Sequence, residues 1–422
     1  MIETLQIFPG VTLRGCPDSR FHQGCLSIQF LEPMSREHGA VNALIPSILL
    51  RGSQAHPDLR SITRELDTLY GAEIGPLVRR IGDYQGTGFY CSFLEDRFAL
   101  EGDRILEPLT RFAGELLLDP LTRDGIFLRD YVDSEGKNLI SAMDAQLSDK
   151  QLYAQDRLLR EMGGEDSFAL PRLGTREQAL AVTAESAWQQ YRRLLCHAPA
   201  EIFYVGSMPL ETVARLIEPI FRALSRHVGS LPEQTPLRPR EGRELTEHMA
   251  VAQARLCMGF TTPITCRDDR FAAMQVANPV FGGGMTGQLF LIVRERLSLC
   301  YSIHASYYAS KGVTVVSAGV DAQKLAVTRQ EVLAQLEACC LGQITREELD
   351  AAKQALISGL RAVSDSPAAI ESYYAPAALS GLNRTAQTYA AQVEQVTAED
   401  VSAAARTLKL HTTYILEGEG QP

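Results

Sequence analysis

The 422-residue chain is 45% hydrophobic and 22% charged, an ordinary globular composition that excludes disordered, collagenous and low-complexity classes. Its 41 basic against 51 acidic side chains leave a net charge of -10, which disfavours nucleic acid and anionic lipid as partners. The longest apolar stretch, Ala43 to Leu50, contains a proline and a serine and falls far short of the roughly 18 residues a membrane-spanning helix needs. The first residues carry an early acid and no basic cluster, so no secretory leader is expected and a cytoplasmic location is the default. Nine cysteines without a C-x-x-C pair suggest reduced, mostly buried thiols rather than a disulfide framework or a zinc ribbon.

Alternating apolar and polar residues through Ile2–Phe8, Val11–Cys16 and Gln23–Phe30 predict three strands. Helical spacing follows over Val41–Leu50 and Leu59–Tyr70, where Leu59, Ile62, Leu66 and Leu69 share a face. Glu73–Ile81 and Gly86–Phe93, separated by Gly82-Asp83-Tyr84, predict a hairpin. A long helical region from Arg104 to Met162, with breaks near Asp119-Pro120 and Gly125, leads to another helix and a short strand at Ala200–Val205.

Between Leu231 and Glu247 the composition shifts to Pro, Glu, Arg and Thr, as in an exposed linker. The same order of elements then recurs. A strand at Ala252–Phe260 precedes helices at Asp269–Val280 and Met285–Arg296, strands at Tyr301–Ala309 and Val313–Val320, and helices at Ala322–Cys340, Thr345–Val363 and Pro367–Ala378. A helix from Ala398 and a strand at Thr412–Leu416 end the chain. The sequence itself echoes: Asn138-Leu139-Ile140-Ser141 before Ser148-Asp149 corresponds to Ala355-Leu356-Ile357-Ser358 before Ser364-Asp365. We therefore expect two homologous halves, 1–228 and 248–422, joined by a linker at 229–247. Strand runs and helix runs are segregated within each half, which predicts an α+β fold, each half an antiparallel sheet with helices packed on one face.

Several chemistries are excluded. The eight histidines never fall at HExxH or HxxEH spacing, and no G-x-S-x-G elbow, Walker loop or Rossmann glycine fingerprint is present. The most unusual stretch is Phe281-Gly282-Gly283-Gly284-Met285-Thr286-Gly287-Gln288-Leu289-Phe290, running on through Val293-Arg294-Glu295-Arg296 to Cys300-Tyr301-Ser302. Three glycines before a helix permit close backbone approach and positive φ. Arg294 stands near a helix end and Tyr301 at the next strand's start. By spacing alone, a surface ion pair for Arg294 and a core place for Tyr301 are the better readings.

This stretch resembles the C-terminal-half signature of the pitrilysin and insulinase family of inverted-motif zinc peptidases, in which G-G-G-M-S-S-x-L-F-x-x-I-R-E-K-x-G-L-A-Y-S is typical. The two-half layout and the segment Gly39–Gly75 extend the resemblance over the whole chain, and it implies a chain forming half of a clamshell. In active members a helix bears HxxEH and a later helix adds a carboxylate ligand. Anchoring on Arg51-Gly52-Ser53, similar to the family's lysine-glycine-threonine, places Ala43-Leu44-Ile45-Pro46-Ser47 at that motif. The metal positions are thus degenerate at Ala43, Pro46 and Ser47; Glu135 resembles the later carboxylate ligand, but an ordinary helix-surface glutamate is the better reading, and no metal or other cofactor is expected in this chain.

What the resemblance retains is the opposite side of the chemistry. It implies that Arg294 and Tyr301, with Gly282, Gly283 and Gly284, contact extended peptide, the arginine and tyrosine through substrate carbonyl oxygens. It further implies pairing with a homologous zinc-bearing subunit, typical of Gram-positive bacteria, the complex hydrolysing short or unfolded peptides that this chain alone does not cut. A homodimer, and a scaffolding or peptide-sequestering protein without any part in catalysis, are the alternatives.

Overall fold

The computed structural model describes residues 2–240, 242–382 and 384–418. The first half runs β1 (Glu3–Phe8), β2 (Val11–Pro17), β3 (Gln23–Pro33), α1 (Gly39–Leu49), α2 (Leu59–Thr68), β4 (Glu73–Ile81), β5 (Tyr84–Leu94) and α3 (Leu106–Leu118). A small hairpin follows, β6 (Thr122–Arg123) with β7 (Ile126–Phe127), then α4 (Arg129–Ser148), α5 (Lys150–Gly163), α6 (Arg176–Ala181), α7 (Ala184–His197), β8 (Ala200–Gly206) and α8 (Leu210–Arg222). The second half runs β9 (Arg243–His248), β10 (Ala254–Thr261), α9 (Phe271–Phe281), β11 (Cys300–Tyr308), β12 (Val313–Val320), α10 (Leu325–Cys340), α11 (Arg346–Ala362) and α12 (Pro367–Leu379). It closes with α13 (Ala386–Gln395), α14 (Ala398–Ala405) and β13 (Lys409–Glu417).

The α+β class holds, and the strand order repeats between halves. One sheet is ordered β1-β2-β8-β3-β5-β4 and the other β11-β12-β10-β13-β9. Apart from the extra β1, the two orders correspond strand for strand, including the single parallel pair in each, β2 with β8 and β9 with β13. The sheets are therefore mixed rather than wholly antiparallel, because the strand that closes each half returns beside an earlier strand running the same way.

The chain divides into two compact units that are not continuous in sequence. One comprises residues 1–144, 170–233 and 363–379, and the other comprises 145–169, 234–362 and 380–422. Each half thus gives up one helix: α5 belongs to the unit built on the second sheet, and α12 to the unit built on the first. The echoed Ser-Asp pairs stand at these exchange points. Asp149 caps α5 by accepting from the Gln151 and Leu152 amides, and Ser364-Asp365 forms the 3-10 turn between α11 and α12.

The exchange settles what covers each sheet. In the first unit Leu26, Ile28, Phe30, Phe89, Ile202 and Tyr204 point into one core with α1, α3, α7 and α8. The alternate residues Cys25, Phe203 and Val205 meet Ile370 and Ala375 of α12. In the second unit Cys257, Val313, Val315, Tyr414 and Leu416 pack on Ala154, Leu158 and Met162 of α5. The central strands of each sheet are consequently covered on both faces, while the edge strands stay partly exposed, a refinement of the expected one-sided packing. Period-2 alternation does not show this, since β3 and β12 are buried along nearly their whole length.

Local signals explain most element boundaries. Capping boxes start α2 at Asp58/Ser61, α6 at Thr175/Gln178, α7 at Thr183/Ser186 and α14 at Thr397/Asp400. The expected linker is irregular from 225 to 240, but its last part is a strand, β9, in register from Arg243 beside Thr412 to His248 beside Glu417. Its charged alternation is that of an edge strand, which the loop-like composition concealed. Glu247 on β9 accepts from the Tyr153 and Tyr414 phenols at 2.5 and 2.6 Å and from Arg157 at 3.1 Å, tying the edge to α5. The hairpin β6/β7 interrupts the expected helical run, and α8 and α13 are additional to the sequence reading.

Candidate functional site

The degenerate metal positions lie on α1, whose residues are all buried except Ser47. Ala43 and Pro46 are core packing. Pro46 inside the helix has no N–H to donate to the preceding turn. Beside them a buried polar knot satisfies itself: Gln190 donates to Glu32 at 2.7 Å and to Asn42 at 2.8 Å, and Asn42 donates to Glu32 and Gln85 at 3.2 and 3.1 Å.

The anchor Arg51-Gly52-Ser53 has a physical basis. The Leu121 amide donates to the Gly52 carbonyl at 2.9 Å. A Cβ on Gly52 would lie 2.9 Å from the Pro57 carbonyl, so only glycine fits. Ser53, fully buried, donates to Glu115 and accepts from the His56 amide at 2.8 Å. Arg51 then leaves this loop to reach Glu135 on α4, 3.2 Å from Nη1 to Oε1, with its guanidinium 5.0 Å from the centre of the Tyr131 ring. Asn138 donates to the other carboxylate oxygen at 3.1 Å. Glu135 is thus not an idle surface carboxylate but the half-buried partner of a cation. Its side chain is 11% exposed. These residues do not fit a zinc ion: alanine, proline and serine supply no imidazole and Glu135 is engaged. Among the described residues no cluster of three or more His, Cys, Asp or Glu side chains is placed to hold a metal.

The glycine-rich stretch is built on the second unit. None of Gly282, Gly283 and Gly284 has positive φ; Gly282 is extended at φ -175. Close approach is what the first two provide. A Cβ on Gly282 would fall 2.5 Å from Leu289 and one on Gly283 2.6 Å from the Asn278 amide, whereas Gly284 faces open space. The turn braces an edge strand: the Ala305 amide of β11 donates to the Gly282 carbonyl at 2.8 Å, and Asn278 donates to the Ala305 carbonyl at 3.1 Å. Both outward backbone groups of Ala305 are therefore occupied.

After this turn the expected helix over Met285–Arg296 is a π-helix confined to Leu289–Arg296, a rare form with i to i+5 bonds that recurs at functional sites. Arg294 sits on it, 39% exposed, its guanidinium 4.6 Å from the Phe290 ring centre and 3.6 Å from Glu295. Ser298, where the family pattern has glycine, is held at φ +50. Burial pushes the neighbouring Cys300 thiol up to about 11, against the pull of the Arg294 charge. Tyr301 follows as the unpaired residue of a β-bulge, since Cys300 faces Val320 and Ser302 faces Gly319. The bulge turns the phenol outward. Tyr301 is 56% exposed, which removes the core reading. Its hydroxyl donates to Asp321 at 3.1 and 3.3 Å, and that bond raises its pKa above the ordinary phenol value.

A family model described as the peptidase M16 inactive domain matches residues 181–356, which include the glycine turn, Arg294 and Tyr301. A probable inactive metalloprotease, YmfF of Bacillus subtilis, is 25% identical over 409 residues, covering 97% of this chain and 96% of that protein. The chain is thus similar to the peptidase M16, or pitrilysin and insulinase, family, through the inactive-domain model over residues 181–356 and through YmfF along its whole length. An uncharacterized zinc protease of Streptomyces coelicolor is 28% identical over 51% of this chain and 48% of its own length. In fold, a conserved protein from Enterococcus faecalis V583 superposes with a TM-score of 0.92 at 24% identity, over 100% of this chain and 99% of that one.

Sequence reasoning missed Asp321, Lys324 and the Arg51–Glu135 pair. Asp321 between a strand and a helix reads as an ordinary helix cap, and nothing in a sequence shows that its carboxylate leaves that role.

Proposed function

We propose that this chain is the zinc-less subunit of a two-chain metallopeptidase, binding extended peptide through Arg294 and Tyr301 while a homologous subunit supplies zinc and hydrolysis. The exposed phenol of Tyr301 on its bulge carries the reading, because a tyrosine kept only for packing would be buried. The engaged Glu135 and the apolar Ala43 and Pro46 support the absence of a metal step in this chain. Arg294 offers a guanidinium fork for peptide carbonyls, and an open sheet edge such as β4 suits strand addition by extended substrates. The edge of β11 does not extend past Ala305, where the glycine turn already fills it. In this proposal Gly282 and Gly283 serve the peptide contact indirectly, by fixing the strand that carries Tyr301. The working location is cytoplasmic and the two halves, 1–228 and 248–422, are repeats of one ancestral unit.

The test is peptidase activity on a fluorogenic peptide library with this chain alone, a zinc-bearing homologue from the same genome alone, and both mixed. Activity that requires the mixture and is abolished by a chelator supports the reading. A stable complex without activity in any arm, or a homodimer that binds peptide uncut, favours the scaffolding or sequestering alternative.

A further inference from the structure

Four irregularities converge within one segment of the second unit. Arg294 stands on a π-helix, Ser298 is left-handed, Tyr301 is a bulge, and Asp321 at the helix N-cap makes no side-chain cap bond. The last is the most informative. Asp321 has the extended backbone of an N-cap, φ -68 and ψ 137, before the 3-10 turn that leads into α10. A capping carboxylate typically stabilises a helix by about 1 kcal/mol. Here the carboxylate forgoes that bond and turns to the Tyr301 hydroxyl instead. Lys324, one turn on, completes the arrangement: its ammonium lies 3.8 Å from Asp321 Oδ2 and donates to the Ser298 carbonyl at 3.0 Å.

We propose that Asp321 and Lys324 are positioning residues that hold the Tyr301 phenol in its peptide-contacting orientation. This rests on the proposed peptide-binding role of Tyr301. Lys324 links the two ends of the segment, fixing both the carboxylate that accepts the phenol's hydrogen bond and the carbonyl of the left-handed Ser298 ahead of the bulge. A phenol has one proton and two lone pairs, so the bond to Asp321 aims the ring and leaves oxygen lone pairs outward. Without Asp321 an exposed tyrosine on an edge strand samples its rotamers freely, and ordering it on each binding event costs affinity.

The experiment is a double-mutant cycle read by anisotropy with a fluorescein-labelled pool of unstructured peptides, using the full chain. Asp321→Ala weakens binding about three- to tenfold, the range of a single hydrogen bond, and costs nothing further in a Tyr301→Phe background. Asp321→Asn, which keeps an acceptor, restores most of the affinity. An equal loss in the Tyr301→Phe background, or tighter binding by Asp321→Ala as expected if the carboxylate competes with peptide, overturns the proposal. A second readout does not need peptide: in chain labelled with carbon-13 at the tyrosine ring, the Tyr301 signal, assigned by its loss in Tyr301→Phe, titrates at lower pH in Asp321→Asn than in the wild type. An unchanged midpoint overturns the proposal even if the chain binds no peptide, a result that would by itself sink only the peptide-binding reading.

Discussion

Removing Glu371 probes how the exchanged helix α12 is held on the first sheet. Its carboxylate is 1% exposed and accepts from Arg79 at 2.8 and 3.1 Å and from Ser27 at 2.7 Å. At 2.8 Å and an effective dielectric near 20 the Coulomb attraction is about 6 kcal/mol, much of it offset by taking both charges out of water. Deleting one partner removes the attraction and leaves the desolvation, which costs about 3–5 kcal/mol. Glu371→Ala therefore destabilises the first unit by that amount, and Glu371→Gln, which keeps the Ser27 acceptor, by about 1–3 kcal/mol. Replacing both partners, Arg79→Met with Glu371→Leu, leaves no unpaired charge but strands the buried Ser27 hydroxyl, so it costs about 1–3 kcal/mol, less than Glu371→Ala. The assay is urea unfolding followed by the fluorescence of Trp188, the single tryptophan, which packs against Phe127 and Tyr191 in this unit. A shift below about 1 kcal/mol for Glu371→Ala would mean that the pair does not anchor α12, and the account of the exchange would fail.

Other outcomes follow from the same contacts. Ser298→Gly stabilises the chain by roughly 0.5–1 kcal/mol in thermal or urea unfolding, and Ser298→Val costs more than that, because a β-branched side chain resists positive φ. Burial pushes Glu247 up, but bonds from Tyr153, Tyr414 and Arg157 outweigh it and leave the pKa lowered. Its stabilising effect is thus present above the unfolded carboxylate range and is lost as pH falls through the folded value, so Glu247→Gln flattens the acid limb of a stability–pH curve; an unchanged limb would contradict this. With its proton held by Asp321, the Tyr301 oxygen contacts peptide as an acceptor, so in the reconstituted complex Tyr301→Phe raises KM by roughly three- to tenfold, the range of one hydrogen bond, and an unchanged KM removes Tyr301 from the peptide site. Restoring His at 43 and 47 and Glu at 46 does not by itself bring stoichiometric zinc by elemental analysis, because Arg51 still holds Glu135; zinc uptake without changing Arg51 would show that the pair is dispensable.

The fold was legible where side-chain periodicity and capping chemistry act locally. Glu73–Ile81 and Val313–Val320 were bounded as found, and the Ser-Asp echo marked both exchange points. What stayed hidden is non-local. No pattern inside α5 says that Ala154 and Leu158 will cover the other half's sheet, since an apolar stripe specifies burial without naming its partner. The charged run Arg243–His248 looks like solvated linker until β13 is beside it. At the site, Arg294 and Tyr301 were readable only through resemblance, and Asp321 not at all, because its bond to Tyr301 spans 20 residues and displaces the local role its position suggests.

The two motif regions have diverged in opposite physical directions. Around Ala43, Pro46 and Ser47 the structure has relaxed into ordinary packing: the helix is buried, the polar knot beside it is satisfied, and Arg51 neutralises the carboxylate on α4. Around Tyr301 the reverse is true. A left-handed serine costs about 1–2 kcal/mol and an unused N-cap about 1 kcal/mol, and a π-turn and a bulge are retained besides. A chain that needed only the fold gains by single substitutions, glycine at 298 or a residue without a hydroxyl at 301 that frees Asp321 to cap the 3-10 turn before α10. Strain that local chemistry could so easily relieve, concentrated around one outward-pointing phenol, supports the proposal that Tyr301 is kept for a contact and not for the fold.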